Sequence, residues 1–326
     1  MNARDVAYGY GIGFNDGINA GGGGGGSGYV NNDPDYALYK ALPEPADNQA
    51  VIFMRIADCT EKTYIDAYDI SGENNCTVDW GDGTSEIPEQ TGSSHSYAAP
   101  GDYIITVTDN SAGKITTVSC RMYRNFGYPI AMKVGSEFPY SDLTSGKIIN
   151  YSSNFKYIQF ACDIWESGYI FQSSNRLTRI DILSGAKPDK LVNYQFNSCY
   201  ALDFENLLPL FSEVTEVGNS VFNSCYNLKK LSLPKCTKVG NNSIYQCYSL
   251  THVDMPLCTE IGSDSIYSDY ALREANLPLC ASVGNYGLAY NYSLNKVVLS
   301  DSCSFGSNSL NNCYCLIPTP NNIYPY

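Results

Sequence analysis

From Leu228 onward one set of letters returns every 22 residues. Leu228 recurs as Leu250, Leu272, Leu294 and Leu316, Tyr226 as Tyr248, Tyr270, Tyr292 and Tyr314, and Gly240 as Gly262, Gly284 and Gly306. A fixed period of this length marks a solenoid: each repeat is one coil whose apolar side chains can be buried only against neighbouring coils. Within the period sits the template apolar-x-x-apolar-x-apolar, which predicts one short parallel strand per coil. It reads Phe155/Ile158/Phe160, Leu177/Ile180/Ile182, Leu228/Leu231/Leu233, Leu250/Val253/Met255, Leu272/Ala275/Leu277 and Leu294/Val297/Leu299, with a looser unit carrying an insertion around Leu202. Each coil turns about five apolar side chains inward, each worth roughly 1.5–3 kcal/mol when fully buried.

Cys236, Cys258 and Cys280 follow the last apolar letter of their templates by three positions. With the "VG" or "IG" pair, the next apolar residue (Phe222, Ile244, Ile266, Leu288, Leu310) and the returning "C-Y-x-L", this pattern resembles the BspA-like leucine-rich repeat. The resemblance spans residues 151–316. After Leu299 the expected Pro and Cys have slipped to Ser300 and Cys303, which reads as a modified cap. We expect a mainly β protein, an immunoglobulin-like sandwich followed by a leucine-rich-repeat solenoid over 151–326.

The chain holds 13 Cys, an odd number, and no Cys-x-x-Cys pair. Disulfide frameworks staple small domains that lack a core, and this chain is not small. Cys236, Cys258 and Cys280 form one 22-residue row, and Cys225, Cys247 and Cys313 fall on a second. Residues of one row stack in adjacent coils, so these read as small buried hydrophobes. No metal and no cofactor is expected.

Upstream the pattern differs. Residues 1–29 are Gly-rich, end in a run of glycines, and read as a flexible tether or an anchor peptide, with no apolar core of a secretory signal. Residues 30–49 read as a linker with room for a helical turn or two. Over 50–122 the period becomes two, the alternation of short strands in a β-sandwich. There "VDWGDGT" and "SHSYAAPGDYIITVT" resemble the PKD-type immunoglobulin-like domain through Trp80, Gly81, Asp82, Gly83, His95, Tyr97, Pro100, Gly101, Tyr103 and Val107. Asp79 and Asp82 are read as turn-formers rather than calcium ligands. The connector 123–150 shows no period.

The net charge of −13 opposes binding to nucleic acid or anionic lipid, and no stretch reaches 18 apolar residues. His95 and His252 lie in different modules, and no Ser or Cys nucleophile has a base, so catalysis finds no support. What remains is recognition. The chain carries 28 Tyr, and between each repeat Gly and the returning Leu run Tyr, Asn, Ser, Asp and Gly in shifting order, the vocabulary of adaptable binding surfaces. The candidate binding residues of this turn row are Asn242, Tyr245, Gln246, Asp264, Tyr267, Ser268, Tyr286, Tyr290, Asn291, Asn308 and Asn312. The competing surface is the strand face, taken as concave, with His252, Asp254, Glu274, Asn276 and Lys296. The unchanging Tyr row is read as a mainly structural ladder. The resemblances imply adhesion to a host-surface glycan or protein. The missing secretory signal and the Gly-rich N-terminus, read as a tether to other virion or surface-assembly proteins, lead us to expect display on a bacteriophage virion or tail, with a bacterial cell-surface adhesin or a ligand-free architectural protein as alternatives.

Overall fold

The computed structural model describes residues 33–60, 62–69, 76–87, 93–110, 115–121, 127–137, 155–165 and 169–316. The expected tether 1–29, much of the connector and residues 317–326 lie outside them.

Segment 30–49 carries helix α1 (Pro34–Ala41). Asp33 caps it by accepting from Asp35 N at 2.9 Å, and Pro34 occupies the first turn, where a missing N–H is harmless. Next come β1 (Gln49–Ile56), β2 (Thr63–Asp69), β3 (Cys76–Asp79), β4 (Ser85–Glu86) and β5 (Ser93–His95). They are followed by β6 (Gly101–Asp109), β7 (Ile115–Arg121), β8 (Gly127–Val134), β9 (Tyr157–Phe160) and β10 (Arg179–Ile182). One sheet runs β10-β9-β8-β1-β6-β3-β4, and a smaller one runs β5-β2-β7.

Strand β1 is buried on both faces, and the two-residue period divides it between two cores. Ala50, Ile52, Met54 and Ile56 enter a core with Ile65 of the smaller sheet, Val78, Trp80, Ile105 and Val107. Val51 and Phe53 point the other way, to Tyr39 and Leu42 at the helix. Asp79 Oδ1 accepts from Gly81 N at 2.9 Å, and Asp82 accepts from Thr84 N and meets His95 Nε2 at 2.7 Å. Both carboxylates therefore serve the hairpin itself.

The connector supplies β8, which pairs antiparallel with β1 and parallel with β9, the first repeat strand. The large sheet thus contains strands from before and after the expected boundary at 150, and one apolar core continues from Ala50 to Cys313.

In the solenoid, Lys230–Ser232, His252–Asp254, Glu274–Asn276 and Lys296–Val298 form a parallel sheet in 22-residue register. A second parallel sheet stacks the two-residue strands that precede each repeat Gly, and a third pairs Ile244–Tyr245 with Ile266–Tyr267. The insertion seen near Leu202 widens one step to 26 residues and is absorbed by a 3-10 helix, Leu208–Glu213. The inward rows are buried as the period predicts, among them Leu250, Val253, Met255, Cys258, Ile261 and Ile266. Cys236, Cys258 and Cys280 are free thiols that donate to main-chain carbonyls. Gly240 is required by close approach, since a Cβ there would lie 2.7 Å from Asn219 Oδ1 and from Gly218 C.

Candidate functional site

The turn row has a backbone signature that the letters hide. Among the described residues, every non-Gly residue with positive φ lies in the solenoid, in pairs four residues apart, from Tyr169/Ser173 to Asn308/Asn312, with φ between 51° and 65°. Asn242 and Gln246, Asp264 and Ser268, and Tyr286 and Tyr290 are such pairs. Each of these residues donates its main-chain N–H to a carbonyl of the next coil: Asn242 to Ser263 O, Gln246 to Tyr267 O, Asp264 to Asn285 O, Ser268 to Ala289 O, Tyr286 to Ser307 O and Tyr290 to Asn311 O, at 2.7–3.1 Å. The turns are thus held together by their backbones. The outward side chains are left free to vary, which is the physical reason for the drift.

The left-handed region suits Asn and Asp, whose short side chains tolerate it. Asn242, Asp264, Asn308 and Asn312 are therefore explained by the backbone alone. Tyrosine has no such preference, yet it occupies the position at Tyr169, Tyr194, Tyr286 and Tyr290. Tyr169 and Tyr194 were not among the expected site residues, because they precede the regular 22-residue step. Their rings stack with centroids 5.0 Å apart.

The structure brings two tyrosine rows side by side. Tyr200, Tyr226, Tyr248, Tyr270, Tyr292 and Tyr314 stack in sequence, with centroids 4.7–5.6 Å apart and ring planes within 17°. The second row runs Tyr245, Tyr267, Tyr290, with centroids 5.0 Å apart at each step, and Tyr286 meets Tyr267 edge-on at 6.5 Å. Tyr290 and Tyr292, 6.5 Å apart, link the rows. Stacking hides ring faces against one another, so the surface shows ring edges and hydroxyls. Burial and then the neighbouring phenols push Tyr248 up to about 12, and burial also raises Tyr245, Tyr267 and Tyr292. These four therefore present neutral hydroxyls. Each stacked pair contributes about 0.5–1.5 kcal/mol beyond its buried area, consistent with a structural part for the regular ladder.

Two expected site residues are corrected. Asn291 is fully buried: its Nδ2 donates to Ile266 O and Leu288 O, both at 2.8 Å, and its Oδ1 accepts from Asp269 N at 2.9 Å. Ser268 is also buried. Polarity suggested an outward place for both, but Asn291 falls on the inward Cys row and is satisfied there. Asn242, Tyr245, Gln246, Asp264, Tyr267, Tyr286, Tyr290, Asn308 and Asn312 keep side chains at the surface. Among the described residues, the side chains of Asn242, Gln246 and Asp264 make no hydrogen bond, whereas Asn308 Nδ2 donates to Tyr286 Oη at 3.0 Å and Asn312 Oδ1 accepts from Tyr314 Oη at 2.7 Å.

On the strand face several of the candidate residues bond one another. Asp254 accepts from Asn276 Nδ2 at 2.7 Å and from Ser232 Oγ at 3.4 Å. Lys296 pairs with Glu274 and holds its carboxyl below the usual range, and His252 Nδ1 lies 2.9 Å from Thr251 Oγ1. This face is a set of cross-strand ladders. On the turn row, three polar side chains, those of Asn242, Gln246 and Asp264, have no hydrogen bond among the described residues.

The architecture is a leucine-rich-repeat solenoid of about 22-residue coils. The family model described as the BspA type leucine rich repeat region matches residues 190–317, in six copies. Three solved structures are similar. A leucine rich repeat protein of T. pallidum is 16% identical over 62% of this chain and 84% of its own, with a TM-score of 0.35. A leucine-rich repeat protein from Bacteroides ovatus is 18% identical over 61% of this chain and 52% of its own, with a TM-score of 0.39. A leucine rich cell surface protein from Faecalibacterium prausnitzii is 15% identical over 62% of this chain, which spans half, 50%, of that structure, with a TM-score of 0.33. A comparison with curated proteins found no match.

Proposed function

We propose that this is a non-enzymatic recognition protein whose turn row, with the second tyrosine row at its centre, contacts a host-surface glycan or protein. The observation that carries the reading is the placement of Tyr286 and Tyr290 at left-handed positions, φ 53° and 61°, where the backbone gives tyrosine no advantage. Strained positions of this kind cluster at ligand-contacting sites. The unmatched Asn242, Gln246 and Asp264 beside them supply adaptable hydrogen bonding, and the aromatic edges supply contact area at low entropic cost. In the finer reading the protein is displayed on a phage virion or its tail, with 1–29 as tether or anchor and 50–122 as a PKD-like immunoglobulin-like spacer. Display on a bacterial cell surface, or an architectural part without a ligand, are the alternatives.

The test is binding of the labelled full chain to a glycan array and to a panel of bacterial cells. Replacing Tyr245, Tyr267, Tyr286 and Tyr290 with Ser is expected to abolish the signal at a cost of about 2 kcal/mol or more in stability from the lost ring contacts, with circular dichroism and a thermal melt showing that the variant stays folded at the assay temperature. If binding survives those changes and fails with His252→Ala and Glu274→Ala, the strand face is the site. If the wild type binds no surface, the architectural alternative stands.

A further inference from the structure

Asp269 and Asn291 occupy the same place in successive coils, on the row otherwise filled by Cys199, Cys225, Cys247 and Cys313. All but Cys313 are fully buried, and Cys313 is 9% exposed. Every other member of the row donates to a main-chain carbonyl of the preceding coil. The thiols of Cys199, Cys225, Cys247 and Cys313 donate to Phe171 O, Phe196 O, Phe222 O and Leu288 O at 3.1–3.2 Å. Asn291 Nδ2 donates to Ile266 O, 25 residues back, while its Oδ1 accepts from the residue 22 back, Asp269 N.

Asp269 repeats that pose one coil earlier. Its Oδ1 accepts from Cys247 N at 2.6 Å, again 22 residues back. Its Oδ2 takes the part of the Asn291 Nδ2, and as a carboxylate oxygen it is buried without a partner. An ionised, unpaired carboxylate in an apolar stack is strongly unfavourable. A protonated one becomes a donor, and the row assigns its acceptor: Ile244 O, which stands to Asp269 as Ile266 O stands to Asn291. The main-chain pattern agrees. Cys225 N donates to Phe222 O at 3.0 Å, whereas Cys247 N goes to Asp269 Oδ1 and leaves Ile244 O without its turn bond.

We propose that Asp269 is a neutral carboxylic acid in the folded protein, donating from Oδ2 to the Ile244 carbonyl, and that its ionisation is an alkaline switch that loosens the coils carrying Tyr245 and Tyr267. The titratable groups facing it are the Cys247 thiol and the Tyr248 phenol, both raised by burial and so uncharged at neutral pH. Among the described residues no Lys, Arg or His pairs with it. Burial pushes its carboxyl well above the ordinary range, outweighing the hydrogen bond from Cys247 N. The sign follows from linkage. The contribution is complete below the unfolded carboxyl pKa of about 3.9 and is lost progressively as pH rises towards the folded value, by about tenfold in the unfolding constant per pH unit.

Urea unfolding of the full chain at pH 5 and pH 7 tests this against Asp269→Asn, which supplies the donor at every pH. The wild-type unfolding constant is expected to rise about 100-fold more than the variant's between those two values. At pH 7 an infrared carboxylic-acid band is expected in the wild type and not in the variant. Asp269→Cys, the row's commonest residue, provides the same comparison should the Asn variant fail to fold. An equal pH dependence in wild type and variant, or no acid band at pH 7, overturns the proposal.

Discussion

Ala131, in the segment before the repeats, pairs in parallel register with Tyr157, the first residue of the first repeat strand. Solenoids need a terminal cap, because an end coil has an open sheet edge and an uncovered core. Here the cap is the preceding sheet itself, through β8, reinforced by α1 lying over Val51, Phe53, Ile130 and Tyr157.

A fragment beginning at residue 151 is therefore expected to aggregate or remain unfolded, while one beginning at 33 melts with the full chain. Size-exclusion chromatography and thermal melts decide it. A fragment 151–326 that melts like the intact protein removes the capping argument.

Asp33 ties α1 down, as the helix cap, as acceptor from Tyr157 Oη at 2.8 Å, and as partner of Lys156 at 3.2 Å. Burial opposes its ionisation, but the hydrogen bonds from Tyr157 and Asp35 N and the Lys156 charge outweigh burial and hold its carboxyl below the ordinary range. With the folded pKa lowered, its contribution is present above about pH 4 and lost as pH falls through the folded value. Asp33→Ala is expected to cost about 1 kcal/mol or more, the cap alone accounting for that. Protection factors of the α1 amides, taken against the intrinsic exchange rate at each pH, should fall in the variant, and in the wild type on acidification below about pH 4; unchanged protection in both cases contradicts the clamp.

Gln246 sits at φ 59° with no side-chain hydrogen bond among the described residues. Asn, which occupies the equivalent place at Asn312, tolerates that region better. Gln246→Asn is expected to stabilise by about 0.5 kcal/mol, a fraction of the left-handed penalty. Chemical denaturation measures it, and a destabilised variant would show that Gln246 holds the turn by its side chain.

Burial pushes Cys280 up to about 12 and also raises Cys225 and Cys247. Cys315 is exposed and Cys59 half-buried. Alkylation of the native protein at pH 8 should label Cys315 first and leave Cys225, Cys247 and Cys280 for the denatured state, read by mass spectrometry. Disulfides among the row cysteines, or their labelling at the rate of Cys315, would contradict the buried-thiol rows.

The inward rows were legible because they repeat: Leu250, Val253 and Met255 recur with their neighbours at a step that only stacked coils explain. The edges of that pattern were not. β8 lies in a connector without a period, and its place depends on β1 and β9, remote in the chain. Tyr169 and Tyr194 were missed because the upstream coils take a longer step, the 3-10 helix Leu208–Glu213 absorbing the last extension. Asn291 and Ser268 were misplaced because a polar letter was read as an outward one.

By itself, the sequence determined the repeat length, the residues that face inward and the net negative charge, since each is a local or periodic property of the letters. The tertiary structure decided which polar residues are satisfied. Asn291 and Asp269 share a row and a pose, yet one has two donors ready and the other must keep its proton. That distinction depends on a carbonyl in the preceding coil, which no local pattern of letters contains.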